Sequence, residues 1–541
     1  MKVHAAIARA LIDHDVDVMF GLLGDSNLFV VDSFARDYKG SYVAAASEAG
    51  AVLMASGYAC ASGGLGVATV TQGPGLTNTA TALVEAVRNR TPVLLIVGDT
   101  PAERKDHLQN IAQREIVVAT GAGFEQVSSP QSVVKDLAVA ARRALVERRP
   151  VVLNVPTEFQ WSDIEYEAVD RRPVAHQSVS PDLDAVDRAL GIAAVSRRPI
   201  ILAGRGAISD ASRAALLRLS ARLGAPVATT LKAKDLFRGD PFDLGIFGTL
   251  SHPVAVEAIL SADCIIAFGA GLNEWTTSKG TFVEGKRIVQ CDLDHAQLGG
   301  AIRIDAGVVG DCAAVADTMV QWLDDDGSAP SPFRSDALAA QLAAYTLHDF
   351  QDVSRPGNMD LRRVLLAIDA AVPSDRTLVS DGGQYVHSTW KLVHVPEPRA
   401  FVFTVNFGSI GLGMGSAVGA GMARPGRPVL LVIGDGGFML SGLNEFSTAV
   451  RHGVDLITVV CNNNSYASEH IQFRQRGMDP AVSLLDWPEF AAVADALGGR
   501  GITIREPADL DLLPQAIEQR DRPLLIDVKL DPDQFYVLSN H

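Results

Sequence analysis

The chain has 541 residues, a length that suggests about three domains. With 63 acidic against 47 basic residues the formal net charge is −16, which argues against a nucleic-acid binder, a class that presents a basic face. Five scattered cysteines signal neither zinc nor a disulfide framework, and without a signal-peptide core or a long apolar run the protein is expected to be cytoplasmic and without a membrane span.

Short apolar runs alternate with longer helical patterns along the chain. In the first third they are VDVMFGL, GVATVTQ, TPVLLIVGD and PVVLNVP; in the middle, RPIILAG, APVATTL, CIIAFGA and RIVQCDL; at the end, RTLVSDGG, RPVLLVIGDGG, DLITVVCNN and PLLIDVKL. This alternation predicts an α/β protein of three consecutive doubly wound parallel-sheet domains, with helices on both faces of each sheet. Stretches rich in Pro, Ser and charge at 170–182 and 324–336 read as linkers, which places domains at 1–175, 176–340 and 341–541. Ligands of such sheets bind beyond the carboxyl ends of the strands, so the residues just after each run are the ones to inspect.

Between Lys39 and Glu85 the chain carries a single charged residue, Glu48, inside YVAAASEAGAVLMASGYACASGG. The surrounding Ala, Val, Leu and Met leave no polar stripe for an amphipathic surface helix. A carboxylate buried there loses hydration, a cost tolerated mostly where the raised pKa is used, although a solvated helix position or a buried structural ion pair would also account for it.

Two strand tips near the end of the chain form a second pattern. Gly434-Asp435-Gly436-Gly437 follows RPVLLVI, and Cys461-Asn462-Asn463-Asn464-Ser465-Tyr466 follows DLITVV. A carboxylate, an amide oxygen and a backbone carbonyl are hard donors suited to magnesium or calcium, which phosphate oxygens can complete. The flanking glycines allow a diphosphate close to the backbone and the helix start. Each turn alone is common; the pairing at this spacing carries the signal.

Here the sequence resembles the thiamine diphosphate enzymes of the pyruvate decarboxylase and acetolactate synthase superfamily, marked by Gly-Asp-Gly, a helix and strand, then Asn-Asn. Gly434-Asp435-Gly436 with Asn462-Asn463 match that signature, and FGLLGDSNL, SEAGAVLMASGYA, TQGPGLTN and FGSIGLGMGSAVGA extend the likeness over almost the whole chain. The resemblance implies the thiamine diphosphate-binding fold: an N-terminal pyrimidine-binding domain, a Rossmann-like middle domain and a C-terminal domain for diphosphate and magnesium. It implies thiamine diphosphate and Mg2+ as cofactors, with Asp435, Asn463 and the Ser465 carbonyl as metal ligands. Glu445 falls one place late, as if the helix after Gly436 were one residue longer than usual, which leaves Asn462 as an alternative to Asn463.

By the same resemblance Glu48 is the cofactor-activating glutamate, held in an apolar pocket, hydrogen-bonding N1' of the aminopyrimidine and promoting loss of the thiazolium C2 proton. Ile410 looks like the bulky residue that bends the cofactor, with the Gly408 carbonyl facing the 4'-amino group, though an ordinary core role fits an isoleucine equally. Gly383 and Gln384, in SDGGQ, match a diphosphate-side position. Asp25 and Glu469 coincide with acids used around the reacting carbon, and Gln113 resembles a glutamine that reaches the cofactor in acetolactate synthases. Read alone, Asp25 could be a helix N-cap, Glu469 a solvated helix residue, and the candidate proton shuttles His107 and His470 structural histidines.

The adjacent-histidine pair of pyruvate decarboxylases has no counterpart here. In the middle third Gly204-x-Gly206-x-x-Ser209 only approximates a dinucleotide fingerprint, and Gly271-Leu272-Asn273-Glu274-Trp275 stands where FAD-holding acetolactate synthases carry Arg-Phe-Asp-Asp-Arg, so FAD is not expected. The expectation is a carboligase, acetolactate synthase-like, that cleaves and forms C–C bonds on 2-oxo acids or diketones. Non-oxidative 2-oxo acid decarboxylation is the alternative, and a catalytically silent regulatory homologue a further one, against which the retained Glu48, Asp435 and Asn463 speak. The family builds each site between two chains, which implies a homodimer at minimum and leads to the expectation of a homotetramer, with no nucleic-acid or membrane partner.

Overall fold

Each apolar run becomes a strand buried on both faces, because helices cover both sides of a parallel sheet. The computed structural model describes residues 1–174, 177–346 and 350–534. Among them β1 (Val18–Gly21), β2 (Ser41–Ala44), β3 (Gly66–Val70), β4 (Val93–Asp99), β5 (Gly123–Gln126) and β6 (Val151–Pro156) form a first sheet ordered β2-β1-β3-β4-β6-β5. The second contains β7 (Pro199–Ala203), β8 (Val227–Thr229), β9 (Asp243–Ile246), β10 (Cys264–Phe268), β11 (Arg287–Asp292) and β12 (Ala306–Val309), ordered β12-β11-β10-β7-β8-β9. The third contains β13 (Thr377–Ser380), β14 (Phe401–Phe403), β15 (Val429–Gly434), β16 (Leu456–Asn462), β17 (Arg500–Ile504) and β18 (Leu524–Lys529), ordered β14-β13-β15-β16-β18-β17. All three are parallel sheets.

The first and third sheets therefore share one strand order, while the second has the two outward-wound halves of a dinucleotide-binding sheet. Strand order reverses between β1 and β3, between β7 and β10, and between β13 and β15, and the crevice at such a reversal is where ligands of α/β sheets bind.

Chain contacts divide the described residues into two units. One contains the first sheet and nearly all of the third, in Met1–Val174, Asp352–Thr389 and the chain from Val402 on. The other contains the second sheet and also takes in Trp390–Phe401; its Asp336–Ala344 helix runs across residue 340, and the unit continues to residue 351.

In the first unit one core joins both sheets, with Phe20, Val43 and Val97 from the first and Val379, Leu431 and Val460 from the third. Two helices rich in Ala and Gly, Glu48–Ser62 and Gly413–Ala423, belong to this core. A Cβ at Gly57 would lie 2.0 Å from the Ser416 carbonyl oxygen and one at Gly419 1.9 Å from that of Met54, so their backbones touch. Ten of the 15 residues of the Glu48–Ser62 helix are buried, which is why the sequence shows no polar stripe there.

Candidate active site

Beyond β15 the chain enters a helix at Asp435, with Gly436 and Gly437 in its first turn. A Cβ at Gly436 would meet the Tyr466 ring at 2.7 Å, and one at Gly437 the Asp381 carboxylate at 2.8 Å. Asp435 is 3 % exposed; its Oδ1 accepts from the Gly436 N–H (2.8 Å) and its Oδ2 from the Ser465 N–H (3.3 Å). Burial pushes this carboxyl up to about 6, opposed by backbone N–H donors. A buried acid balanced only by backbone N–H groups fits a cation.

The two asparagines at the end of β16 separate cleanly. Asn462 is 1 % exposed and turns inward, its Nδ2 donating to Asp527 on β18 (3.0 Å). Asn463 is half-buried, and its Oδ1 accepts from the Ser465 N–H (3.2 Å) and Oγ–H (3.0 Å), next to the contact between Ser465 and Asp435. The Asp435 carboxylate and the Asn463 amide oxygen thus meet on the Ser465 N–H, two hard oxygen donors of the kind Mg2+ takes. Among the described residues no group of three His, Cys, Asp or Glu offers another metal site.

The late position of Glu445 has a local cause. Phe438–Gly442 forms a π-helical turn between Asp435–Gly437 and the Leu443–Arg451 helix, and i→i+5 bonding accommodates one added residue. Beyond that turn Glu445 is buried, accepting from the Ala46 N–H (3.1 Å), Ser47 Oγ–H (2.8 Å) and Thr448 Oγ1–H (2.8 Å). A carboxylate from the third-sheet half thereby holds the residues just before Glu48.

Two further buried carboxylates hold the segment with Gly408 and Ile410. Glu85 accepts from the Asn406 N–H (3.1 Å), Asn406 Nδ2 (2.6 Å) and the Phe407 N–H (2.7 Å). Asp381, just after β13, accepts from the N–H groups of Gly382 (2.7 Å), Gly411 (2.9 Å) and Leu412 (3.3 Å), and Ser441 of the π turn donates to the Gly411 carbonyl. Between these anchors Gly408 is exposed at φ +77°, and Ile410 is half-buried, not a fully enclosed core residue. Gly383 and Gln384 are half-buried; a Cβ at Gly383 would lie 2.4 Å from the buried Tyr385 ring and one at Gly434 3.2 Å from it, so the tips of β13 and β15 close on one ring.

Sequence reasoning gave no role to Asp381 or Glu85, and read Glu445 only as a spacing marker. The first was readable in SDGG, an acid directly after a buried strand, whereas Glu85 and Glu445 resemble ordinary helix glutamates until their distant partners are seen.

Glu48 occupies the first position of its helix, where the Ser47 Oγ accepts from the Gly50 N–H (3.0 Å) as N-cap. Its own Oε2 accepts from Asn78 Nδ2 (3.1 Å), and the residue is half-buried. This corrects the expectation of a carboxylate sunk among apolar side chains: the apolar positions lie downstream against Gly413–Ala423, while the acid stands at the positive end of the helix.

Asp25 and Gln113 converge on the turn after β3. Asp25 Oδ1 accepts from Thr71 Oγ1 (3.0 Å) and Gln72 Nε2 (3.5 Å), so it is exposed at the β1/β3 reversal and is not the N-cap of the following helix, a position held by Asn27. Gln113 is buried; its Oε1 accepts from the Gly73 N–H (2.8 Å) and its Nε2 donates to the Gly98 carbonyl (2.9 Å) and Asn154 Oδ1 (2.6 Å). Those bonds hold the Gln113 amide against the Gly73 turn.

Glu469 is exposed in the first turn of the Ala467–Gln475 helix. Its neighbour His470 is buried between Ser483 Oγ and Asp533 Oδ1, both at 3.0 Å, while the His107 Nδ1 accepts from the Gln109 N–H (3.2 Å). In the second sheet the Gly206 N–H donates to the Gly269 carbonyl (3.0 Å), and a Cβ at Gly204 would lie 2.3 Å from that oxygen, so these glycines serve close backbone packing at the β7/β10 reversal.

Comparison with known proteins agrees with this geometry. Residues 1–120 match the N-terminal TPP binding domain of thiamine pyrophosphate enzymes, 186–319 their central domain and 381–528 their C-terminal TPP binding domain. The chain belongs to the thiamine diphosphate-dependent enzyme family. Its relatives include a "Probable acetolactate synthase large subunit" of Methanocaldococcus jannaschii, 28% identical over 98% of this chain and 92% of that one. A "Sulfoacetaldehyde acetyltransferase" of Alcaligenes xylosoxydans is 26% identical over 95% and 90% of the two chains, and a "Probable 2-ketoarginine decarboxylase" of Pseudomonas aeruginosa 28% over 94% and 90%. Within the family, then, the chain is an enzyme with thiamine diphosphate-dependent carboligase or decarboxylase activity. Among the described residues no helix is long and apolar enough to cross a membrane.

Proposed function

We propose that this enzyme joins the acyl unit of a 2-oxo acid or 1,2-diketone to a second carbonyl compound, as a cytoplasmic, Mg2+-dependent carboligase of the acetolactate synthase kind. The observation that carries the reading is the buried Asp435 carboxylate and the Asn463 amide oxygen meeting on the Ser465 N–H at a helix start; with the Ser465 carbonyl as third ligand they would hold a metal-bound diphosphate. Gly434, Gly436, Gly383 and Gln384 line the approach of that diphosphate. When bound, thiamine diphosphate supplies a carbon nucleophile and an electron sink.

The chain's own residues do the rest. Ile410 shapes the bound conformation and Gly408 offers its carbonyl, on a segment held at both ends by Glu85 and Asp381. Glu48 exchanges a proton with the pyrimidine ring. Its half-buried place in one chain becomes enclosed when a second copy covers it, so a homodimer is the smallest active unit and a homotetramer the working assembly. Asp25 and Glu469 hold or deliver protons beside the reacting carbon, and Gln113 positions the turn that carries Gln72, a partner of Asp25.

Non-oxidative decarboxylation is the second reading, supported by the relative named for that activity. NMR product analysis of the enzyme loaded with Mg2+ and thiamine diphosphate, given pyruvate with and without an added aldehyde, separates the two. Acetolactate or a mixed acyloin is expected; acetaldehyde as sole product would replace carboligation by decarboxylation.

A further inference from the structure

The unit built on the second sheet contains a cavity of about 400 Å³ lined by none of the residues assigned to cofactor or metal. That volume lies in the range of small-molecule sites, roughly 300–1,000 Å³. It is lined by residues of the edge strand β9, the Lys234–Asp235 pair that follows β8 and the start of the Pro253–Ser261 helix, together with Trp390 and Lys391.

Part of the lining is flat and unsaturated. The His252 ring stacks on Tyr345 at 4.4 Å and 16°, and Trp390 is buried. His252 also caps the Pro253–Ser261 helix, its Nδ1 accepting from the Ala255 N–H (3.2 Å), a role open only to the neutral imidazole. Burial and the nearby Lys391 hold its pKa down at about 4, consistent with that state.

The charged groups of the cavity are unequally matched. Lys234 Nζ lies 2.8 Å from Asp235 and donates to the Val393 carbonyl (2.8 Å), while Asp235 also receives the Val395 N–H (2.9 Å), so this pair is internally satisfied. The side chains of Lys391 and Arg238 have no hydrogen bond or ion pair among the described residues. Lys391 is half-buried, and burial alone lowers its pKa: a cation drawn partly out of water with no counter-ion in the protein. Asp243 accepts from the Gly245 N–H (2.8 Å) and is pushed up to about 7 by burial with help from Asp235 and Asp240, so near neutrality it bears only part of a charge. Two unmatched cations beside a weakened acid suit one added negative charge, whereas a dianion would also face Asp235 and Asp243.

We propose that this cavity binds a small monoanion with a flat unsaturated body, an aromatic carboxylate, with its carboxylate on Lys391 and Arg238 and its ring along His252, Tyr345 and Trp390. None of its lining residues is assigned to the catalytic chemistry, and its occupancy is readable without turnover. Isothermal titration of the full-length holoenzyme with 4-hydroxybenzoate tests it, with neutral benzamide and the phosphate dianion AMP as comparison ligands. Saturable binding of 4-hydroxybenzoate is expected, at least tenfold tighter than benzamide or AMP. Lys391→Met should weaken it at least tenfold and Arg238→Gln several-fold, with pyruvate turnover in the absence of 4-hydroxybenzoate unchanged. Arg238 is on the exposed rim, so its substitution keeps the test open if the Lys391 variant misfolds. No saturable binding, equal binding of benzamide, tighter binding of AMP, or undiminished binding in both variants would overturn the proposal.

Discussion

Glu48 stands at a helix end, not in a helix interior, and its neighbours explain how it stays there: Ser47 caps the helix, and Glu445 holds Ala46 and Ser47. Glu48→Gln should bind thiamine diphosphate nearly as the parent does but slow exchange of the C2 proton by about 100-fold or more, read by NMR after mixing with deuterated water. Exchange at the parental rate would remove Glu48 from that role. The neighbouring asparagines should divide in the same manner: Asn463→Ala weakens Mg2+-dependent retention of the cofactor by roughly tenfold or more, while Asn462→Ala, which leaves a buried face of Asp527 unpaired, acts mainly on stability. Retention assays on both variants would expose an inverted assignment. The sequence favours Asn463 by resemblance but leaves Asn462 open, because only the direction of β16 and its pairing with β18 determines which amide faces inward. Asp381 gives a pH signature. Burial raises it from its usual 3.8 to about 6, so the folded chain holds that proton more tightly than the unfolded one; its contribution is full below about pH 4 and is lost as pH rises through 6, by roughly 3 kcal/mol. Asp381→Asn cannot ionise, so its stability deficit against the parent should narrow between pH 5 and 7.5 in urea titrations, and a constant deficit would contradict the assignment.

At the scale of elements, the apolar runs in the sequence correspond to the four inner strands of each sheet, and the six strands they do not reveal, β2, β5, β9, β12, β14 and β17, are the two edges of every sheet. The reason is burial. The inner strand β15 has five of six residues buried, but β17 has one of five and β9 one of four, because an edge strand has a neighbour on one side only and its residues need not be continuously hydrophobic. The π turn at Phe438–Gly442 was visible only as a spacing anomaly, since a one-residue insertion looks the same in sequence whether it lengthens a loop or bulges a helix. The Glu48–Ser62 and Gly413–Ala423 helices meet through glycines, and Gly57→Ala places a methyl group against the Ser416 backbone. That substitution should cost about 2 kcal/mol or more, seen as a lower urea midpoint at unchanged slope. A cost below about 0.5 kcal/mol would mean that the helices can separate freely.

For the molecule as a whole, the proposed completion of the active site by a second copy predicts that specific activity falls on dilution in step with the loss of dimer measured by light scattering; full activity in a monomer would refute the shared site. The matching strand orders of the first and third sheets place the Glu48–Ser62 and Gly413–Ala423 helices at corresponding points, each between the second and third strands of its sheet, and the two pack on each other within one core. That arrangement has a consequence for synthesis. The apolar Glu48–Ser62 helix leaves the ribosome about 350 residues before its partner, a wait of tens of seconds at roughly 5–20 residues per second. Throughout that interval the face of this helix that meets Gly413–Ala423 has no partner within the chain, so the order of synthesis leaves apolar surface exposed on the nascent chain for tens of seconds.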